Sequence, residues 1–278
     1  MSASTNAGTV APTPPAAVTA GAGRIRFVWV LRSEWTKLRS VRSTYWTLVV
    51  TVVAFIGISA GVCAGAAYGA HHLRQGGAPT TLSLVGLFFA QLSLGVLGVL
   101  VIASEYSTGM IRASFSAVSR RWELLTAKAA VFGSVALVVG LVASFISFFV
   151  GQAILSSGNY PSVTLGQAGV LRTVVGGALY LAVMGLLALG IGALIRHTAG
   201  GIAVLFGLIL VLPSISAALL PSWQNVLDKV LPSNAGGSLI SMHTQAPFLG
   251  PWAGFGVLCA WAAATLALAA FMATRRDA

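Results

Sequence analysis

The chain has 278 residues, of which 57% are hydrophobic and only 8% are charged, and its mean hydropathy is +0.90. Soluble globular domains carry about 25% charged residues, so this composition excludes that class and is typical of an integral membrane protein. The formal net charge of +11 does not indicate nucleic acid, because the cations lie beside long apolar runs, where they meet lipid headgroups. We therefore expect a lipid membrane as a partner and no nucleic acid.

The chain starts with two segments of different composition. Residues 1–23 contain no charged side chain and are rich in Ala, Thr, Pro and Gly, so they bury too little apolar surface to offset the entropy of ordering. We predict a disordered tail there. Residues 24–44 have apolar side chains at helical spacing among several cations, which predicts an amphipathic helix on the cytoplasmic membrane surface. An ordinary basic flank of the first span is the alternative. The apolar positions are Phe27, Leu31, Trp35 and Leu38.

Six apolar stretches follow, and each is long enough to cross a bilayer as a helix, which takes about 20 residues. Strand-like alternation is lacking, so we predict an all-α membrane protein whose six transmembrane helices form one domain over residues 45–278. The predicted spans are 45–67, 82–103, 129–155, 173–195, 200–220 and 252–273.

The distribution of Lys and Arg predicts the orientation. With the N-terminus inside, 13 of the 16 cations lie in cytoplasmic segments. Cytoplasmic loops carry an excess of Lys and Arg, so we predict that both termini are cytoplasmic. In the last outer segment, residues 221–251, the stretch SWQNVLDKVL predicts a short interfacial helix anchored by Trp223. The three outer cations are Arg74, Arg172 and Lys229.

The predicted inner loop, residues 104–128, contains two of the five carboxylates. Glu105 stands where the second span leaves the membrane, and a carboxylate at that depth is unfavourable unless it is paired. We therefore expect Glu105 to be a functional residue, paired with Arg112 or with a cation of the amphipathic helix. A static ion pair that only fixes the loop is the alternative.

In three segments the sequence resembles the type-2 membrane permeases of ATP-binding-cassette exporters. The first is Ser-Glu-Trp-Thr-Lys-Leu-Arg-Ser at 33–40, which precedes the first span. The second is Glu-Tyr-x-Thr-Gly-Met-Ile-Arg at 105–112, where Met110 replaces the Thr that is usual in the family. The third begins with Ser-Arg-Arg and ends with Ala-Lys, at 119–128.

This resemblance implies a permease subunit that pairs with a second permease, as a homodimer or a heterodimer, and with separate ATPase subunits. The inner loop would dock on the ATPase, and the amphipathic helix would pack beside it. ATP and magnesium would be bound by the ATPase, because no lysine of this chain follows a glycine as a nucleotide-binding loop requires. We expect no cofactor on this chain. The implied coupling residues are Glu105, Arg112, Arg120, Arg121, Glu123 and Lys128, with Glu34, Trp35 and Lys37 in the adjacent helix.

Small and polar residues inside the spans allow further predictions. Gly57, Gly61 and Gly65 leave one face of the first span without side chains, so that another helix can pack closely against it, either within the chain or across a dimer. Gln91 and Gln152 lie within the second and third spans. Each either makes a hydrogen bond between helices or lines a substrate path.

We expect neither enzymatic chemistry nor a metal site. The pair His71-His72 has no acid or cysteine nearby, and the carboxylates do not form the constellations that hydrolysis needs. We expect Cys63 and Cys259 to be free thiols.

The cargo and the membrane are predicted only in general terms. Spans with few charges favour a hydrophobic or amphipathic substrate, and the heavy use of Ala, Gly, Val and Arg favours a bacterial plasma membrane. A scaffold or immunity protein, which binds a partner through the same loop and transports nothing, is the alternative function.

Overall fold

The computed structural model describes residues 27–69, 77–107, 121–216, 221–242 and 249–276. Within these ranges the regular secondary structure is helical throughout, which confirms the all-α prediction. The predicted tail, residues 1–23, lies outside them. The α-helices are α1 (Phe27–Ser40), α2 (Arg42–Tyr68), α3 (Pro79–Ser83), α4 (Leu87–Ser107), α5 (Arg121–Ser157), α6 (Val170–Ile195), α7 (Thr198–Phe206), α8 (Leu212–Ser216), α9 (Pro221–Val230), α10 (Pro232–Gly237) and α11 (Pro251–Arg276).

Six helical stretches of the described chain are long and apolar enough to cross a membrane, as predicted, and they support a multi-pass membrane protein. Their ends extend beyond most of the predicted spans. The third begins seven residues early because the helix already includes Trp122–Lys128, and the fifth is described only as far as Ser216. The six stretches are Arg42–Tyr68, Pro79–Ser107, Trp122–Ser157, Val170–Ile195, Thr198–Ser216 and Pro251–Arg275.

Two of these stretches are not regular α-helices. The second contains the short helix α3, a turn and then α4. The fifth consists of α7, a π-helix at Gly207–Val211, and α8. Pro213 is the second residue after this π-helix. Proline has no N–H for the α-helical hydrogen bond and crowds the carbonyl one turn earlier. The wider turn of a π-helix relieves that crowding.

Helix α6 is the centre of the bundle. In its most apolar stretch 72% of the residues are buried, compared with 17% in the stretches that contain α7 and α11. Helices α4, α5 and α11 pack against it. At Gly98 of α4 an added Cβ would lie 2.7 Å from the carbonyl oxygen of Gly185, so the backbones of α4 and α6 are almost in contact. Such close approach is how helices associate in lipid, where there is no hydrophobic force between them.

The glycine face of α2 does not take part in this packing. No described heavy atom lies within 4 Å of a Cβ added at Gly57, Gly61 or Gly65, so within one chain these residues have no close neighbour. The alternative, packing across a dimer, stays a prediction. The close contact on α2 is instead at Phe55, whose backbone oxygen would lie 2.1 Å from a Cβ at Gly86 in the turn before α4.

Gly86→Ala tests this crossing. The Gly86 amide donates to Ser59 Oγ at 2.9 Å, so a methyl group there forces apart a contact between two backbones. Overpacking typically destabilises by about 1–3 kcal/mol, and we expect a lower Tm for the purified protein in detergent. Gly256→Ala, on the exposed side of α11, is the matched control, because its added methyl group meets no neighbour. Equal Tm values for the two variants contradict the crossing.

Candidate functional site

Helix α1 docks on one end of the bundle through a small apolar contact. Val30 of α1 is buried against Leu124 and Ala127 in the first two turns of α5, and Leu31 and Tyr106 pack around them. This contact places the polar face of α1, one turn further along, against the last turn of α4 and the start of α5.

At that place four charged side chains from three helices form a closed ring. The Lys37 ammonium donates to Glu34 Oε1 at 2.6 Å and to Glu105 Oε1 at 3.2 Å. The Lys128 ammonium donates to Glu34 Oε2 at 2.5 Å and to the same Glu105 oxygen at 2.9 Å. We call Glu34, Lys37, Glu105 and Lys128 the charge ring. Carboxylates and ammonium groups alternate around it, so its charges sum to zero.

The spacing of the sequence explains how each helix supplies its members. In α1, Glu34 is four residues after Val30 and three before Lys37, so the anchor and both charges share one face. In α5, Lys128 is four residues after Leu124 and therefore shares the face that meets α1. In α4, Glu105 lies in the last turn, after a long apolar run.

Three of the four side chains are almost inaccessible to solvent. The side-chain exposures are 2% for Glu34, 3% for Lys128 and 9% for Glu105, whereas Lys37 is 33% exposed. A buried ion is unfavourable by several kcal/mol unless excellent geometry offsets its desolvation, and removing one partner leaves an uncompensated charge. The charge ring therefore fixes α1, α4 and α5 to one another. Lys37 is its only member that a ligand can readily approach.

The surroundings of Lys37 favour its charged form. Burial alone lowers the pKa of this ammonium group, but the hydrogen bonds and charges of Glu34 and Glu105 outweigh burial and place the pKa above its ordinary value. A raised pKa in the folded state means that this contribution to stability is complete below the ordinary lysine pKa and is lost only when the pH rises through the raised value. Near neutral pH Lys37 therefore carries its charge.

One oxygen of the charge ring is not used. Among the described residues, Glu105 Oε2 is buried and has no hydrogen-bond partner. A buried carboxylate oxygen without a donor is unusual, because nearly all buried polar groups are paired. The ring can therefore take one more donor without losing any of its four contacts.

The site extends from Glu105 to a second inter-helix contact through the next residue. The Arg196 guanidinium lies 5.0 Å from the ring centroid of Tyr106, in a cation–π contact. Arg196 is held in the left-handed conformation, with φ of 57°, at the turn between α6 and α7. Tyr106 thus connects the docking contact of α1 with the α6–α7 turn, a role that its sequence position alone does not indicate.

Some of the predicted site residues are described by the structure, and others lie outside the described residues. Glu105 does pair with a cation of the N-terminal helix, Lys37, as one of the two expected alternatives. The other alternative, Arg112, lies outside the described residues, as does Arg120. Arg121 is described only as the first residue of α5, whose first turn also carries Glu123.

The sequence did not indicate that Glu34 and Lys128 are buried. The sequence places Lys128 at the end of the predicted inner loop and Glu34 in the predicted amphipathic helix, and in the structure Glu34 is 1% and Lys128 is 3% exposed. Trp35 points the other way and is 48% exposed, together with Trp29 at 61%. Neither tryptophan is part of the charge ring.

Both glutamines within the spans make hydrogen bonds between segments. Tyr180 donates to Gln91 Oε1 across the α4–α6 contact. Gln152 donates to Ser83 Oγ at 2.9 Å and to Pro79 O at 3.2 Å, and it accepts from the Val163 amide at 2.8 Å. These are the inter-helix hydrogen bonds that were one of the two predicted roles. A path-lining role stays a prediction.

The described part of the chain contains no cluster of His, Cys, Asp and Glu that could hold a metal ion. Cys63 and Cys259 are free, as expected.

Comparison with known proteins gives no family for the chain. No protein-family model matches the sequence, and no curated protein matches it at a significant level.

A double-mutant cycle tests the charge ring. Lys128→Met leaves Glu34 and Glu105 with one ammonium between them, and we expect a loss of about 3–5 kcal/mol because a buried charge is no longer compensated. Adding Glu34→Gln removes the one excess carboxylate charge and should restore part of the loss. Thermal unfolding of the purified chain in detergent measures both effects.

Arg32→Gln is the control for this cycle, because Arg32 is an exposed cation of the same helix outside the ring. It should change stability by less than about 0.5 kcal/mol. Additive losses for Lys128→Met and Glu34→Gln contradict direct coupling.

Proposed function

We propose that this chain is the permease subunit of an ATP-binding-cassette exporter, and that it works as a dimer with two separate ATPase subunits. One observation carries the proposal. The three segments in which the sequence resembles type-2 permeases meet in the charge ring: Glu34 and Lys37 come from 33–40, Glu105 from 105–112, and Lys128 from 119–128. Segments that are distant in sequence thus contribute to the same cluster of charged side chains.

The charge ring suits a subunit that receives force from a partner. In the sequence, residues 108–120 connect the end of α4 to the start of α5, so an ATPase that pushes on this connection pushes on the helix ends that carry Glu105 and Lys128. Because the ring fixes α1 to both helices, the three move together. ATP-driven closure of the ATPases would then bias the permease pair between inward-facing and outward-facing states.

The exposed side of α1 fits a helix that lies along the membrane surface. Its apolar side chains stay exposed although the opposite face is buried, as expected of a helix that contacts lipid headgroups and the acyl boundary. In the proposed orientation this surface is cytoplasmic, and the membrane is the plasma membrane of a bacterium. The exposed residues are Phe27, Val28, Trp29 and Trp35.

The remaining parts of the proposal concern the dimer and the cargo. The glycine face of α2 has no close neighbour among the described residues, which leaves it available to a second permease subunit. The six apolar stretches carry few charges, so the exported substrate is hydrophobic or amphipathic.

Coupling is tested in the complex with the partner ATPase. We expect the chain to co-purify with an ATPase that has a Gly-x-x-x-x-Gly-Lys-Ser/Thr loop. Glu105→Ala and Arg120→Ala should each lower the ATP turnover of that complex about fivefold or more, the scale of a typical coupling free energy. Lys229→Ala, an exposed cation of the predicted outer segment, should leave turnover unchanged.

The same measurement separates transport from the alternative of a scaffold or immunity protein. The proposed coupling is ruled out if no ATPase co-purifies with the chain, or if neither substitution changes the ATP turnover of the complex.

Orientation is tested by single cysteines in a chain from which Cys63 and Cys259 have been removed. Because the cations predict cytoplasmic termini, Ser157→Cys should react with a membrane-impermeant maleimide in intact cells, and Ser116→Cys should react only after the cells are opened. The opposite labelling pattern reverses the orientation.

A further inference from the structure

A cavity of about 350 Å³ adjoins the charge ring. The cavity is lined by the end of α1, the first two turns of α2 and the last turns of α4. All four members of the charge ring line the cavity as well, and so do the exposed residues Ser43, Leu100 and Ser104. The lining therefore changes from charged to apolar over the length of one cavity.

The apolar part of the cavity lies along the membrane-spanning helices. Leu97, Leu100 and Val101 of α4 form one wall, opposite Leu38 and Val41 at the end of α1. Leu100 is 36% exposed and Val41 is 47% exposed, so this part of the lining is accessible from the surface of the bundle. An acyl chain matches such a lining.

The polar part of the cavity favours an anion. The charge ring is neutral as a whole, but Lys37 is its most exposed member, and Ser40, Ser43 and Ser104 bring hydroxyl groups to the same end. Arg39 and Arg42 are both exposed and directly precede lining residues of the chain. The charged residues that line the cavity sum to zero, so these two arginines give the end of α1 beside it an excess of positive charge, which a phosphodiester at Lys37 would offset.

From these observations we propose that the cavity binds one anionic glycerophospholipid of the adjacent leaflet, with its phosphate at Lys37 and one acyl chain along Leu97, Leu100 and Val101. A zwitterionic lipid brings an ammonium group that the two arginines repel. A free phosphate lacks the apolar part that the α4 wall accommodates. The lipid is thus selected by charge at one end and by shape at the other.

Binding of this lipid would also act on the charge ring. Lys37 is 2.6 Å from Glu34 but 3.2 Å from Glu105, so the bond to Glu105 is the longer of the two. A phosphate that attracts Lys37 competes with Glu105 first. This inference goes beyond the proposed transport function and does not rest on it, since the lipid would bind whether or not an ATPase joins the chain.

Native mass spectrometry of the purified full-length chain tests the proposal without an ATPase. Phosphatidylglycerol and phosphatidylcholine with identical acyl chains are added in equal amounts, and glycerol phosphate is added alone as a headgroup without chains. We expect one phosphatidylglycerol that resists collisional removal, with little phosphatidylcholine and no glycerol phosphate retained.

Substitutions in the polar part and in the apolar part of the cavity test whether the lipid binds there. Lys37→Gln should lower the retention of phosphatidylglycerol about tenfold, the scale of one charge-assisted hydrogen bond. Leu100→Trp, at a half-exposed position, should fill the apolar part and lower retention as well, without disturbing the ring. Arg32→Gln removes an exposed cation of α1 outside the cavity and should retain the lipid like the wild type.

Three results overturn the proposal. Equal retention of the two phospholipids means that lipid fills the cavity without selection. Binding of glycerol phosphate as strong as that of phosphatidylglycerol means that the site is an anion site only. Full retention in Leu100→Trp places the lipid elsewhere, and this outcome remains decisive even where Lys37→Gln does not fold.

Discussion

The burial of two carboxylates and two ammonium groups in one ring is the constraint on which this end of the bundle depends. Each buried ion would be unfavourable by itself, and each is stabilised because its neighbours in the ring carry the opposite charge. Moving α1, α4 or α5 alone would leave at least one nearly inaccessible charge without its counterpart. A displacement of any one of the three helices therefore separates at least one pair of opposite charges.

The rest of the bundle is held by contacts of a different kind. Around α6 the helices approach through glycine and neutral hydrogen bonds, such as that between Tyr180 and Gln91. At the end of α3, Ser147 donates to Ser83 O at 2.6 Å and Gln152 donates to the Ser83 hydroxyl. Neutral hydrogen bonds of this type contribute about 1 kcal/mol each, and losing one leaves no buried charge. The two ends of the bundle thus differ in how strongly separation of helices is opposed.

Sequence reasoning predicted the spans well, because the length and hydropathy of a membrane helix are local properties. It also predicted an ion pair for Glu105, since a carboxylate at the end of a span requires one. It could not predict that Lys128 and Glu34 meet, because 94 positions separate them and only the packing of α1 on α5 brings them together. The same limit applies to glycine. The repeated spacing at Gly57, Gly61 and Gly65 is conspicuous, yet the glycines that lie against the backbone of α2 are two isolated ones, Gly86 and Gly158.

The charge ring combines firm attachment with one point of access. Glu34 and Lys128 form its inaccessible side, while Lys37 is one-third exposed and makes the longest contact, 3.2 Å, to Glu105. Residue Glu105 also carries the oxygen that has no partner among the described residues, and it lies three positions before residues 108–120. Because its contact with Lys37 is the longest of the four, a displacement of Glu105 breaks that contact before it affects the pair of Glu34 and Lys128. The ring can then change at its Lys37 side while α1 remains docked on α5 through Val30, Leu124 and the buried pair.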